Sequence, residues 1–333
     1  MLLLLPLLIV LQSPQVASQA SAPISLPGCR NKCGNITVPY PFGFEPGCFR
    51  EDFGLVCNES YSPPRLFISG YGYEITDISP KGELHISVAA KRACYNSSGG
   101  YISGTNTYIA LGTSPYLLSL SNSLFAVGCP YKMNQGYFVD ADGYYVSGCV
   151  SACRPTQSSL GGTNGSCTGV GCCESSIPSG LNFYEPASQN FGTATEETDP
   201  IILSNTTNCS YVFLADSNWF HFNNSYLLRT TDFMAPVAID WAIRNVGNCS
   251  YASHNMTDFA CRSANHDCHD SDNGAGYLCN CSKRYQGNPY ITNGCKDINE
   301  CEMKDEYPCF GDCTNTVGNY SCTCPRGTEG NAI

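Results

Sequence analysis

Asp297-Ile-Asn-Glu-Cys301, then Cys309, Cys313-Thr-Asn-Thr-Val-Gly-Asn-Tyr-Ser-Cys322 and Cys324, is the stretch on which the reading of this chain turns. So short a segment cannot bury a large apolar core, and cysteine at this density points to cross-linking as its source of order. The same holds further out. Six cysteines lie between Cys249 and Cys295 and twelve between Cys29 and Cys209, giving 23 in 333 residues. A reducing cytosol does not sustain that number without metal, and the paired Cys-x2-Cys knuckles of structural zinc sites are absent from the sequence. The odd total arises in the last stretch, so the partner of Cys324 is expected beyond Ile333.

Other signals agree with export. Met1–Leu11 is an apolar run too short to span a bilayer, and Ala20-Ser-Ala22 supplies small residues for cleavage, so residues 1–22 are expected to be a signal peptide. Eleven Asn-x-Ser/Thr sequons, at Asn35, Asn58, Asn96, Asn164, Asn205, Asn208, Asn223, Asn248, Asn255, Asn280 and Asn319, mark candidate glycosylation sites. No later segment reaches about 20 apolar residues; Phe233–Ile243 is interrupted by Pro236 and Asp240. A net charge of −11 with no Lys/Arg run excludes a phosphate-backbone binder, so no nucleic acid is expected as partner. The acidity is uneven. Residues 23–94 carry seven basic and seven acidic side chains, whereas residues 95–248 carry four against ten.

The periodicity is that of strands. Tyr73–Ile78 and Glu83–Val88 alternate around Ser79-Pro-Lys-Gly82, and Tyr137–Val146 alternates around Asp142-Gly143, both reading as hairpins. Asn182–Pro200, polar and containing Pro186 and Pro200, reads as a surface loop. The fold class expected is a mainly β, disulfide-rich, multidomain extracellular protein.

Cys-x-Asn-x4-Tyr-x-Cys at 313–322, entered through Asp297-Ile-Asn-Glu300, resembles a calcium-binding EGF-like domain. A hard cation needs several oxygen ligands at about 2.3–2.6 Å. The resemblance implies Ca²⁺ held by the side chains of Asp297, Glu300 and Asn315 and by the carbonyls of Ile298, Thr316 and Asn319. It also implies the pairs Cys301–Cys313 and Cys309–Cys322. Residues 249–295 look like a second EGF-like module without the acidic entry, for which the resemblance implies Cys249–Cys268, Cys261–Cys279 and Cys281–Cys295. His266-Asp-Cys-His269 is no metal motif if Cys268 is oxidised, and Asp270-Ser-Asp-Asn-Gly274 has no Glu at the twelfth position of a calcium loop.

At the other end, Cys29-x3-Cys33-Gly-Asn and Pro39-Tyr-Pro-Phe-Gly43, followed by Cys48, Phe53-Gly-Leu-Val-Cys57 and Cys94, resemble the galacturonan-binding domain of plant wall-associated receptor kinases. Cys167-Thr-Gly-Val-Gly-Cys-Cys173 and Val237-Ala-Ile-Asp-Trp241 resemble the cysteine-rich region that follows it in that family. The organisation expected is then a galacturonan-binding domain at 29–94, a cysteine-rich region at 95–248, an EGF-like module at 249–295 and a calcium-binding EGF-like module at 297–333. The family would continue past Ile333 into a membrane helix and a kinase, which places this chain on the extracellular face, in the cell wall, or free if secreted.

Pectin and its oligogalacturonides are the partner this resemblance implies. Polygalacturonate is a polyanion, and the neutral first segment is where it would be tolerated. Arginine forks suit its carboxylates and aromatic faces suit its sugar rings, so Arg30, Lys32, Arg50, Tyr40 and Phe42 are the candidate contacts. Two other classes are weighed. A wall polysaccharide hydrolase or lyase needs paired carboxylates about 5–9.5 Å apart, and nothing singles out a pair among Asp140, Asp142, Glu196 and Glu197. A secreted decoy or protein-interaction scaffold would use the same modules without an anchor. Neither a nucleophile elbow, a His-Glu-x-x-His motif nor a phosphate loop occurs in the sequence, so no enzyme activity is expected of it.

Overall fold

The computed structural model describes residues 22–96, 100–128, 133–152, 165–191 and 208–332. The expected signal peptide lies outside these residues except for Ala22, as do the sequons Asn164 and Asn205. The chain folds as strands; among the described residues the one α-helix is the four-residue Cys249–Ala252.

Three antiparallel sheets make the body. The first has six strands, in the order Tyr116–Leu118, Met234–Trp241, Glu83–Ala89, Glu74–Ser79, Arg65–Ile68 and Leu55–Asn58. The hairpin expected at 73–88 is its centre, with Ile75 opposite Ile86 and strict in-out alternation along Glu83–Ala89. The second sheet runs Cys172–Ser176, Asn122–Val127, Asn208–Asp216, Lys91–Tyr95 and Tyr101–Thr105. The third joins Tyr145–Ala152, Met133–Val139, Phe183–Phe191 and Ile109–Ala110. Its hairpin turns at Asp142-Gly143 as expected, with Gly143 at φ +82° and the Asp140 carboxylate accepting from the amides of Asp142 and Tyr144.

One expectation fails. Within the stretch 182–200, Phe183–Phe191 is a strand along Met133–Val139 rather than a surface loop, and residues 192–200 lie outside the described residues. Pro186 is tolerated because the strand's other neighbour, Ile109–Ala110, reaches only Phe183 and Tyr184, so no ladder bond is missing on that side. Pro236 is accommodated the same way: Tyr116–Leu118 pairs with Met234–Trp241 only from Ile239 onward.

The segments on either side of Cys94 share one sheet and one core. Met234–Trp241 lies against Glu83–Ala89 over seven residue pairs, and Trp241, 1% exposed, meets Phe42 and Phe53 edge-on at 5.1 and 5.8 Å. Disulfides Cys29–Cys48 and Cys33–Cys57 fasten the N-terminal end, and Cys149–Cys173 and Cys167–Cys172 the second and third sheets. Cys94–Cys209 joins in-register residues of neighbouring strands 115 positions apart. Closing so long a loop removes on the order of 4–5 kcal/mol of unfolded-chain entropy in the chain-entropy account.

Residues 249–295 carry Cys249–Cys268, Cys261–Cys279 and Cys281–Cys295. They are docked on the body. Ile243 bridges Tyr277, Tyr290 lies 5.9 Å from Trp241, and the Asn273 amide donates to Leu118 O and to the Asp240 carboxylate. Residues 301–332 carry Cys301–Cys313 and Cys309–Cys322, Cys324 stays unpaired, and no residue of this span is buried.

Candidate functional site

Two places carry chemistry. The first is the edge of the body formed by residues 30–76. Lys32–Cys33 and Ile36–Thr37 make a two-stranded ribbon that presses its turn against the Pro63–Pro64 segment. Gly34 makes that approach possible: at φ +55° its Cβ position would stand 2.4 Å from Pro64 O. Arg30 and Lys32 are brought together, the Arg30 Nε donating to Lys32 O at 2.7 Å while its Nη1 pairs with Glu59 at 2.8 Å. The Lys32 ammonium makes no hydrogen bond or ion pair among the described residues.

Beside the ribbon lies an open groove of about 680 Å³, lined by Asn35, Tyr61, Ser62, Arg65, Glu74 and Thr76 among others. Arg65 stands 4.4 Å over the Tyr61 ring and pairs with Glu74 at 3.2 Å. A half-exposed guanidinium held over an exposed aromatic ring can exchange its partner carboxylate for one from a ligand.

The other expected sugar contacts sit elsewhere. Phe42 is 1% exposed and belongs to the core with Phe53 and Trp241, so it presents no stacking face. Tyr40 is half-buried beside Trp241 and Tyr290, lining an apolar cavity of about 290 Å³. Arg50 donates to Asp258 O at 2.8 Å and ties the body to residues 249–295. Arg65 and Tyr61 were not singled out in the sequence. The two stand only four positions apart; what the sequence hides is the strand register, which sets Arg65 opposite Asn58 and Phe67 opposite Glu74 and so brings Glu74 to the pair.

The second place is the joint at 284–320. Cys295–Asp297 pairs with Tyr285–Gly287, and Glu300 then enters a single 3₁₀ turn, Glu300–Glu302. Residues Asp312–Thr316 and Asn319–Thr323 form the facing hairpin. The Asp297 carboxylate accepts from Asn315 Nδ2 at 3.0 Å and from the Gly318 amide. Gly318 has no room for a side chain, since its Cβ would meet the Tyr285 hydroxyl at 2.9 Å. Thr316 Oγ1 donates to Asn319 O at 2.8 Å across the hairpin turn, and Ile298 N donates to Arg284 O at 3.0 Å.

Glu300 is fully buried, and only one of its oxygens is used. Oε1 accepts from Arg284 Nη1 at 3.2 Å, while Oε2, like Asn315 Oδ1, is buried without a hydrogen-bond partner. Buried oxygens are rarely left unsatisfied. Carboxylate and amide oxygens are the ligand types a hard cation takes, and these two stand unsatisfied at the joint. Among the described residues no three His, Cys, Asp or Glu side chains cluster; this set mixes carboxylate with amide and carbonyl oxygens. Arg284 carried no signal in the sequence, being one of two adjacent basic residues, with Lys283, in the Cys281–Cys295 loop.

None of the described sequon asparagines is buried; of Asn208 only the backbone is described. No helix among the described residues is long and apolar enough to cross a membrane.

Residues 29–90 match the protein family described as wall-associated receptor kinase galacturonan-binding. Over 90% of its length the chain is 36% identical to wall-associated receptor kinase 4 and 34% identical to wall-associated receptor kinase 2, both of Arabidopsis thaliana. It is 29% identical over 88% of its length to wall-associated receptor kinase-like 6 of the same plant. The chain spans 39%, 38% and 48% of these three relatives. No solved structure matches it.

Proposed function

For this chain, an ectodomain of the wall-associated receptor kinase type, we propose that residues 29–94 bind the galacturonan of pectin on the outer, wall-facing side of the cell. The family match over 29–90 is the observation that carries this reading. The edge that holds Arg30, Lys32 and the Arg65–Tyr61 pair supports it, because it joins exposed cations to an aromatic face in the one segment without net negative charge. Phe42 and Arg50 drop out of the contact set, the first being core and the second committed to Asp258 O, between the body and residues 249–295.

In this reading the Ca²⁺-binding EGF-like module, with ligands from Asp297, Ile298, Glu300, Asn315, Thr316 and Asn319, sets the angle at which the binding body is carried. Bound calcium supplies a divalent charge that the orphaned Glu300 and Asn315 oxygens can satisfy. The kinase in the relatives' names is theirs, and no catalytic role is proposed for this chain.

Titration of the chain with demethylated polygalacturonate tests the first part. Lys32→Glu and Arg65→Glu should each weaken binding about tenfold or more, the scale of a lost charge-assisted hydrogen bond, and added salt should weaken it further. Equal affinity of parent and both variants would remove this edge as the binding face.

A further inference from the structure

We propose that Arg284 is the built-in counter-cation of the joint between the two EGF-like modules, neutralising buried Glu300 and keeping the joint closed when no metal ion does so. Only its calcium arm rests on the calcium reading above; the Arg284 arm stands on the contacts alone.

Glu300 is the one fully buried carboxylate among the described residues, and every residue after it, to position 332, is at least partly exposed. A buried carboxylate without a partner is strongly disfavoured. Arg284 is the one cation within ion-pair reach of it among the described residues, at 3.2 Å. The guanidinium is itself held. It lies 5.6 Å from the Tyr307 ring and 5.3 Å from the Tyr320 ring, both in the following module, and aromatic faces attract cations at such distances. The same residue grips the linker by its backbone, through the bond from Ile298 N to Arg284 O. One residue of residues 249–295 thus holds the linker, the buried acid and two rings of the next module.

The division of Glu300's oxygens gives the arrangement its logic. Arg284 takes Oε1 and leaves Oε2 without a partner, and Asn315, whose amide donates to the Asp297 carboxylate, keeps an unpartnered Oδ1 as well. A cation on Oε2 therefore does not require Arg284 to leave. Without that cation, Arg284 alone offsets the Glu300 charge. Removing Arg284 should make the joint depend on calcium, whereas the parent joint stays closed in either condition.

Hydrogen exchange at the Ile298 amide of the full chain reads this directly, because its acceptor is a backbone oxygen that side-chain substitution leaves in place. The parent should be protected in EDTA and in millimolar calcium chloride. Arg284→Met should exchange on the order of a hundredfold faster in EDTA, the scale on which stripping the partner from a buried charge acts, and calcium should restore protection. The double variant Arg284→Met/Glu300→Gln, which has no buried charge left to neutralise, should regain protection in EDTA. Parent-like protection of Arg284→Met in EDTA would overturn the proposal. So would a double variant as fast as the single one, since packing of the arginine stem and the rings, not its charge, would then hold the joint. Calorimetric titration of the parent with calcium chloride separates the two readings: no uptake refutes the calcium site while the EDTA comparison still decides the role of Arg284.

Discussion

Residues 249–295 and residues 301–332 carry the same kind of disulfide ladder over different foundations. Residues 249–295 send Phe259, Tyr277 and Tyr290 into the body's core, each at most 4% exposed, and Tyr277 hydrogen-bonds the Ala260 amide while Tyr290 hydrogen-bonds that of Cys279. Residues 301–332 bury nothing; two disulfides and the polar joint at 284–320 hold them. Each fully buried large apolar side chain contributes about 1.5–3 kcal/mol, so the first module is secured by the hydrophobic effect and the second is not. The comparison moves the place where the ectodomain can bend. It is the linker at 296–300, rather than the junction near Cys249, that has polar contacts alone to stiffen it.

Four experiments break or sharpen this contrast. Trp241→Ala removes the ring that Phe42, Phe53 and Tyr290 share and should cost about 3–5 kcal/mol in denaturant unfolding, loosening the body and the first module together. If the first module kept its exchange protection in that variant, it would be an independent unit after all. Replacing both Cys309 and Cys322 by serine should cost about 2–4 kcal/mol, and the lost protection should stay within 301–332. Spread of that loss into 249–295 would show the modules to be coupled more tightly than burial indicates.

Asp297→Asn keeps the shape of the joint and removes the carboxylate charge that accepts from Asn315 and Gly318. Calcium affinity, which in extracellular modules is about 10⁻⁴–10⁻³ M, should fall about tenfold or more by calorimetry, with no change in the thermal transition of the body. Arg30→Gln should do least. Its pair with Glu59 is 42% and 67% exposed, so stability should change by less than about 1 kcal/mol, and a larger change would mean that the Arg30 contact with the Phe44 ring carries packing weight.

The hairpins at 73–88 and 137–146 could be read from the chain because alternation has a period of two and Gly143 marks the turn, both local properties. The Phe183–Phe191 strand could not, because Pro186 counts against a strand until the missing neighbour on its free edge is known. The acidic entry to the joint was legible at Asp297 and Glu300, where carboxylates stand at a fixed offset from Cys301. Their counter-cation was not, since nothing near Arg284 in sequence distinguishes it from Lys283.

Composition, cysteine spacing and charge distribution determined by themselves that this is a mainly β, disulfide-rich chain with a charge-neutral front and an acidic linker before its last module. Those properties are additive along the chain and need no partner. Only the tertiary structure decided that Phe42 is core, that Cys94 meets Cys209, that Arg65 and Tyr61 line a groove with Asn35 and Met234, and that residues 249–295 are docked while residues 301–332 are not. The physical reason is that each of these depends on register between strands far apart in sequence. Register is set by which faces must leave water together, a condition that no single segment satisfies alone.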